Sequence, residues 1–410
     1  MTNIWILGGA QSDFSRNVAK EGLGPEDVTG EVIQDALVAA AVDASDIGTV
    51  HVANAFGELF TGQAHMGALP ATVCDDLWGV PSARHEAACA SGSIATRGAI
   101  ADLTAGFYDS ALVVGVEIER NVAGRTAAEH LGAAAFVGHE GRPGSVIWAD
   151  MFDRVAEEYD RRYGLDDIHL RGIGSINLEN AKSNPNAQTR AWAVPDLLDA
   201  AGADDEVNPV VEGRLRRYDC SQITDGAVAV VLVNDAYLAA HPSARPIGRI
   251  AGWGHRTTGL PLEQKLERSR DQPLVLPHVA QAFSDALDRA GVTLGDVRGL
   301  ETHDCFTPSE YMAIDHIGLT APGESWTAVE DGTIAADGRF PINPSGGLIG
   351  GGHPVGATGV RMLLDAARQV SGTAGDYQVE GADRFATLNI GGSTATTVSF
   401  VVESPELVMS

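Results

Sequence analysis

Gln281-Ala282-Phe283-Ser284-Asp285-Ala286-Leu287, followed by Asp296-Val297 and Gly299-Leu300-Glu301-Thr302, restates a pattern already present near the N-terminus. Shifted by 250 positions without gaps, Asp285-Ala286-Leu287 falls on Asp35-Ala36-Leu37. Val292 falls on Val42, Asp296 on Asp46 and Phe306 on Phe56. Both copies run in the same order: apolar residues at helical spacing, an acidic turn, then a short strand. The shared order points to an internal duplication.

The neighbouring segments extend the repeat. Residues 4–7 read as a buried first strand, and residues 28–42 as a helix carrying Val32, Ile33, Leu37, Ala40 and Ala41 on one face. Val50 to Ala53 follows as a strand. In the first half His85-Glu86-Ala87-Ala88-Cys89-Ala90-Ser91-Gly92-Ser93 opens an apolar helix, which leads to the strand Ser110 to Val116. In the second half a glycine-rich turn around His353 opens a helix from Gly359 to Val370, which leads to the strand Ala386 to Ile390. Each half thus alternates strands and helices, the pattern of a mostly parallel sheet covered on both faces. Such sheets carry their sites on βα connections, at helix N-termini. Ser91 or Ser93 is expected to cap the helix after Cys89. The helix dipole there favours thiolate over thiol.

Residues 119–217 interrupt the alternation. They are more polar, with loop signals at Asn184-Pro185-Asn186 and Asp204-Asp205-Glu206, and helical spacing from Phe152 to Tyr163. This is read as an inserted cap. Its arginines, among them Arg161, Arg162, Arg214, Arg216 and Arg217, suit either phosphate contacts or surface ion pairs. The chain re-enters the core at Ile223-Thr224-Asp225-Gly226 and the strand Ala227 to Val233, and the second half begins with Arg245 to Ala251. The expected domains are 1–118 with 218–243, the insertion 119–217, and 244–410.

Composition bounds the function. The 410 residues carry a net charge of −27, which argues against nucleic acid and anionic membranes as partners. No apolar run reaches membrane-spanning length, so no membrane insertion is expected. The first residues read as a strand and not a signal peptide, and Leu407-Val408-Met409-Ser410 shows no targeting signal. A cytoplasmic location is expected. The four cysteines, Cys74, Cys89, Cys220 and Cys305, fit neither a zinc motif nor a disulfide scaffold, and no metal is expected.

Four places bear chemistry: Cys89, His303-Asp304-Cys305-Phe306, the glycine run from Asn343 through Gly352-His353-Pro354 to Gly359, and Asn389-Ile390-Gly391-Gly392-Ser393. The glycine run lacks the Lys-Ser/Thr ending of a nucleotide loop. A lone buried cysteine is most often an inert small hydrophobe. Two cysteines and two histidines at matching junctions of a duplicated fold are harder to dismiss. They suit acyl transfer with carbon–carbon bond cleavage or formation. A thiolate accepts the acyl group, an imidazole takes its proton, a second thiol serves the α-carbon, and positioned N–H groups hold the oxyanion.

At these residues the chain resembles thiolases of the sterol carrier protein-two type, over essentially its full length. Ala88-Cys89-Ala90-Ser91-Gly92 resembles the thiolase nucleophile motif, and Gly352-His353-Pro354 the second motif. His303-Asp304-Cys305-Phe306 resembles the form specific to that subgroup. Other thiolases carry a second cysteine near the C-terminus, where this chain has Asn389-Ile390-Gly391.

The resemblance implies an α/β thiolase fold, a five-layered αβαβα stack of duplicated mixed-sheet halves with an inserted loop domain. It implies Cys89 as the acylated nucleophile, His353 as its activator and Cys305 as the acid/base. His303 and His353 would hold the enolate oxygen, and the N–H groups of Cys89 and Gly391 a second oxyanion. Ser221, Phe306 and Gly352 would touch coenzyme A, a substrate here, with no tightly bound cofactor. Cys74 and Cys220 match no catalytic motif. The implied activity is cleavage of a 3-oxoacyl-CoA to acetyl-CoA (or propionyl-CoA) and a shortened acyl-CoA, or the reverse condensation, in degradation of fatty acids or sterols. The implied assembly is a homodimer or homotetramer, with the first-half sheet and the Cys89 helix near the interface. Alternatives are a retro-aldolase of sterol side-chain CoA esters with a small OB-fold partner protein, and a non-catalytic acyl-CoA or lipid-binding relative. A decarboxylative ketoacyl synthase is disfavoured by Cys305.

Overall fold

The computed structural model describes residues 2–409; Met1 and Ser410, which the expected domain bounds and the reading of the chain ends include, lie outside the described residues. The first half comprises β1 (Ile4–Gln11), α1 (Pro25–Ala40), β2 (Thr49–Ala53), the short helices α2 (Gly57–Phe60) and α3 (Leu69–Val73), β3 (Ser82–His85), α4 (Ser91–Ala105) and β4 (Ser110–Glu117). Between β4 and the next core strand lie α5 (Gly124–Leu131), α6 (Ile147–Tyr163), α7 (Asp167–Asn180) and a small hairpin, β5 (Val210–Glu212) with β6 (Leu215–Arg216). The core resumes with β7 (Gly226–Asn234) and α8 (Asp235–Ala240). The second half comprises β8 (Gly248–Thr257), α9 (Leu262–Arg268), α10 (Pro277–Ala290), β9 (Leu300–Thr302), α11 (Thr307–His316), α12 (Ser325–Glu330), α13 (Val355–Ser371), β10 (Arg384–Gly391) and β11 (Thr396–Glu403).

The duplication is visible in the strand order, β3-β2-β4-β7-β1-β8-β11-β10-β9. Read from its outer edge, β9-β10-β11-β8 repeats β2-β4-β7-β1. The counterpart of β3 is reduced to one parallel bridge, Ile342 beside Leu300. The halves join through Trp5–Arg249 and Ile6–Gly248, which makes one continuous nine-stranded sheet. The expectation of a mostly parallel sheet is corrected. Only β2/β3, β2/β4 and β9/β10 are parallel; β1/β7, β4/β7, β1/β8, β8/β11 and β10/β11 are antiparallel. The four residues between β10 and β11 are too few for a parallel crossover, so that pair must turn back on itself.

Helices lie in three levels around the strands. Helix α1 buries Val28, Val32, Ile33 and Leu37 with Leu112, Val114, Val231 and Val233 on the outer face of the first half. Helix α10 buries Val279 and Phe283 with the second-half cluster. Between the two half-sheets, α4 and α13 share one core: Ala95, Ala99 and Leu103 with Val360, Leu363 and Ala367. They cross backbone to backbone. A Cβ on Gly92 would meet the Val360 nitrogen at 2.6 Å, and one on Gly359 the Ser93 nitrogen at 2.3 Å. Glycine is needed at both positions for this contact. The crossing places the turn before α4 against the turn before α13, and so Cys89 against His353. No helix among the described residues is long and apolar enough to cross a membrane.

Candidate active site

Cys89 sits on a strained turn between β3 and α4. Ala88 holds φ +50°, a left-handed conformation rare for a residue with a Cβ. The serine caps expected from the sequence are absent. The N-cap is Ala90 and no side chain caps it. Ser91 instead closes the preceding turn: its hydroxyl donates to the Ala88 carbonyl at 2.6 Å and accepts from the Ala87 N–H at 2.9 Å. Ser93 donates to Asn389 Oδ1 at 2.9 Å.

The Cys89 sulfur and one ring nitrogen each from His303 and His353 all lie within 4.8 Å of one another. The two imidazoles meet edge to face, with ring centroids 5.2 Å apart. His353 is buried after Gly352, whose φ of +104° turns the chain into α13. Its Nδ1 lies 2.7 Å from the Thr358 hydroxyl, whose own proton goes to the Pro354 carbonyl at 3.0 Å. Nδ1 therefore carries the hydrogen and donates it. Nε2 has a free lone pair and no partner within the protein. His303 is the opposite tautomer. Asn389 accepts from Ser93 through Oδ1, so its Nδ2 donates to His303 Nδ1, at 3.2 Å. The hydrogen of His303 is then on Nε2. The site thus presents a base from one imidazole and a donor from the other. These three groups also have the composition of a metal site, but an Nε2–H is a donor and does not ligate a cation.

The titration of the site departs from the sequence reading. Burial, with Glu119 nearby, pushes the Cys89 thiol up to about 12, against the backbone N–H groups of Gly392 and Cys89 that favour thiolate. Burial and the Arg361 cation press His353 down to about 3. Burial, then His353, then Arg361 hold His303 well below the usual range. The resting pair is a neutral thiol beside a neutral imidazole. Burial also holds Cys305 well above the usual thiol range, with Cys89 and Asp304 adding to it.

Cys305 follows β9, buried, and its carbonyl accepts the Ser221 N–H at 2.9 Å. Cys220 bridges Phe306 in antiparallel register. Phe306 stacks on Phe152 of α6, centroids 5.0 Å apart. A Cβ on Gly352 would meet Thr224 and Gln188. Ser221, Phe306 and Gly352 therefore lie along the seam between insertion and core. Gly391 packs on the Cys89 turn, where a Cβ would meet the Ala87 carbonyl at 2.2 Å, and the backbone N–H of the neighbouring Gly392 favours the Cys89 thiolate.

Several supporting residues gave no signal in the sequence. Asp304 accepts from Leu348 and Ile349 N–H and from Asn177, and so holds the glycine-rich loop under His303. Insertion residues grip the same loop: Asn180 donates to the Asn343 carbonyl, Asn184 to Ser345 and Thr189 to Gly350. Thr224 accepts the His353 N–H at 2.8 Å and donates to Gln188. Glu119 and Glu117 accept from the Val355 and Gly356 N–H groups at the start of α13. Of the insertion's arginines, Arg161 and Arg162 pair with Glu158, Arg214 with Asp160 and Arg216 with Asp205. Arg217 is in no ion pair among the described residues and lies over Trp192 and Tyr218.

Residues 263–404 match a family model described as thiolase C-terminal domain-like. An acetyl-CoA acetyltransferase of Methanothermobacter thermautotrophicus is 32% identical over 97% of this chain and 98% of its own. The chain belongs to the thiolase superfamily. It is an acyltransferase of that superfamily, with the thiolase fold. Human sterol carrier protein 2 is 26% identical over 97% of this chain and 72% of its own length. Among solved structures, the Ltp2-ChsH2(DUF35) aldolase superposes with a TM-score of 0.78 at 19% identity, covering 98% of both chains. At that identity the likeness speaks for the fold alone.

Proposed function

We propose that this thiolase transfers acyl groups between coenzyme A thioesters through an acyl-Cys89 intermediate, cleaving 3-oxoacyl-CoA to acetyl-CoA (or propionyl-CoA) and a shortened acyl-CoA, or running the condensation. The observation that carries it is the convergence of Cys89, His303 and His353 with opposite tautomers on the two imidazoles. In cleavage, His353 Nε2 takes the Cys89 proton as the sulfur attacks C3 of the substrate. The bond between C2 and C3 breaks, and Cys305 gives its proton to the acetyl-CoA enolate at C2. The Cys305 thiolate then takes the proton of incoming CoA thiol, whose sulfur displaces Cys89 from the acyl group. Cys89 recovers its proton from His353.

His303 Nε2–H is the standing donor to the enolate oxygen, and His353 joins it only while it carries the Cys89 proton. The N–H groups of Cys89 and Gly391, with Gly392 beside them, are assigned to the oxygen of the acyl-cysteine. A thiol at rest in Cys305 suits the cleavage direction, where an acid is required first. Ser221, Phe306 and Gly352 are assigned to the pantetheine path because they border the insertion, and Arg217 to the phosphates.

The Methanothermobacter relative's name supports the substrate class. Four free cysteines support a reducing, cytoplasmic setting. The open edge strand β3 and the exposed Trp78 near it support a homodimer through the first half; sedimentation as a monomer at micromolar concentration would refute it. The Cys89→Ala variant, assayed with acetoacetyl-CoA and CoA, is expected to lose at least about a thousandfold in turnover; wild-type turnover would sink the assignment. Cys305→Ala is expected to form acyl-Cys89 from acetyl-CoA but not to condense it. Normal condensation would remove the acid/base role. Full activity of the purified chain alone would exclude a required small OB-fold partner protein.

A further inference from the structure

The turn between β10 and β11 leaves Gly391, which packs on the Cys89 turn so closely that a Cβ would meet the Ala87 carbonyl at 2.2 Å, and carries Gly392, whose backbone N–H favours the Cys89 thiolate. It is an awkward turn to hold. Gly392 and Thr394 both take φ +63°, and Thr394 has a Cβ. Its far side is gripped by two groups that the catalytic assignments leave unused. Lys265, on α9, places Nζ 2.5 Å from the Ser393 carbonyl, 2.9 Å from the Ser393 hydroxyl and 2.9 Å from the Leu260 carbonyl. His278, on α10, places Nε2 2.8 Å from the Thr394 carbonyl. All three ammonium protons are thus spent, two of them on Ser393 and none on a carboxylate.

This use of a lysine is unusual in this chain. It has three lysines, and Lys20 and Lys182 are exposed, whereas Lys265 is 6% exposed. A cavity of about 550 Å³ lies against the clamp, lined by Lys265, His278, Thr257, Gln264 and Gln281 among others. Tight packing from that side does not hold the turn in place; the hydrogen bonds do. Three oxygens converging on one point suit a compact ammonium and not a planar guanidinium.

We propose that Lys265 and His278 are positioning residues that hold the Ser393–Thr394 backbone so that the Gly391–Gly392 turn stays seated against the Cys89 turn, and that they thereby set the rate of acyl transfer to Cys89. The inference rests on Cys89 being the acylated residue. It adds a requirement outside the site, on the opposite side of the turn.

The charge makes the role separable from a structural one. Burial pushes Lys265 down to about 8, with Glu140 the opposing carboxylate; His278 faces it from α10 and Arg268 lies on its own helix. The folded value is below that of a free lysine, so the charge costs stability below about pH 8. That cost is relieved between there and the free-lysine value. Lys265→Met removes that cost but leaves the Ser393 and Leu260 carbonyls without this donor, so melting is read alongside, and the folded variant is expected to acylate more slowly. A lysine kept for stability alone would lower the melting temperature and leave the acylation rate of the folded protein unchanged.

The experiment is mass-spectrometric timing of Cys89 acetylation by acetyl-CoA, with melting curves on the same samples and Cys89→Ala as the blank. Lys265→Met is expected to acylate roughly 10- to 100-fold slower. Its deficit should shrink as pH rises past about 8, where the wild-type lysine loses its own proton. His278→Leu, which removes only the Thr394 bond, is expected to be slower by several-fold and keeps the test open should the methionine variant fold poorly. Wild-type acylation in both variants, or a loss of rate that merely follows a loss of melting temperature, overturns the proposal. Absence of acylation in the wild type would instead overturn the assignment of Cys89.

Discussion

Thr358→Val tests the tautomer on which the nucleophile's activation depends. In the wild type the Thr358 hydroxyl spends its proton on Pro354 and accepts the Nδ1–H of His353 at 2.7 Å, which leaves Nε2 free to take the Cys89 proton. Valine has the same shape and no acceptor. The Nδ1–H tautomer then buries an unpartnered donor, at a cost of about 1–3 kcal/mol. The imidazole moves its hydrogen to Nε2, which faces the site and the Cys89 sulfur instead of a methyl group, and there it cannot accept from Cys89. A bias of that size lowers the population of the competent tautomer by roughly 5- to 150-fold, and the acylation rate falls with it. Loss of the hydroxyl's bond to Pro354 costs about 1 kcal/mol of stability besides, so the folded fraction is measured alongside. The assay is rapid-quench mass spectrometry of acetyl-Cys89 at saturating acetyl-CoA. Thr358→Ser restores the hydroxyl and is expected to restore the rate. Acylation of Thr358→Val within twofold of wild type would refute the tautomer argument.

Two further predictions follow from the same site. Asn389→Ala frees His303 Nδ1 to take the hydrogen and removes the standing donor to the enolate oxygen. Acetyl-Cys89 should still form, while cleavage of acetoacetyl-CoA slows about 10- to 100-fold; equal slowing of both steps would contradict it. With the Cys89 thiol pushed up to about 12, alkylation by iodoacetamide should rise about tenfold per pH unit between roughly pH 6 and 9, without a plateau. A plateau near pH 7 would mean a preformed thiolate–imidazolium pair, contrary to the burial argument.

The sequence carried the duplication, because apolar spacing and glycine placement are local signals. It also singled out Cys89, His303 and His353, which the fold brings together, because each lies at a strand–helix junction. It did not carry strand direction. Two strands joined by four residues look the same in composition as two joined through a helix, and only the turn at Gly392–Ala395 distinguishes them. The capping role expected of Ser91 failed because its hydroxyl found nearer partners in the strained turn at Ala88. The grip of Asn180, Asn184 and Thr189 on the glycine-rich loop was invisible, since each bond joins segments more than 150 positions apart. The dipole argument for a thiolate at Cys89 was sound in sign but too small. Burial outweighs it, and no local pattern states how deeply a residue will be buried.

That outcome bears on how the site divides its charges. Arg361 is 1% exposed and paired with Glu301 and Asp365, and its cation adds to the burial that holds down both His303 and His353. Burial, with Glu119 adding to it, holds the Cys89 proton on sulfur. Both effects oppose a thiolate–imidazolium pair at rest. The same Arg361 field favours negative charge between the two imidazoles, where the enolate oxygen is assigned. An anion is therefore disfavoured on sulfur at rest and favoured on oxygen during reaction. In this arrangement a buried arginine that touches no substrate contributes to the oxyanion, and its share in depressing the two histidines, smaller than that of burial, has the same sign.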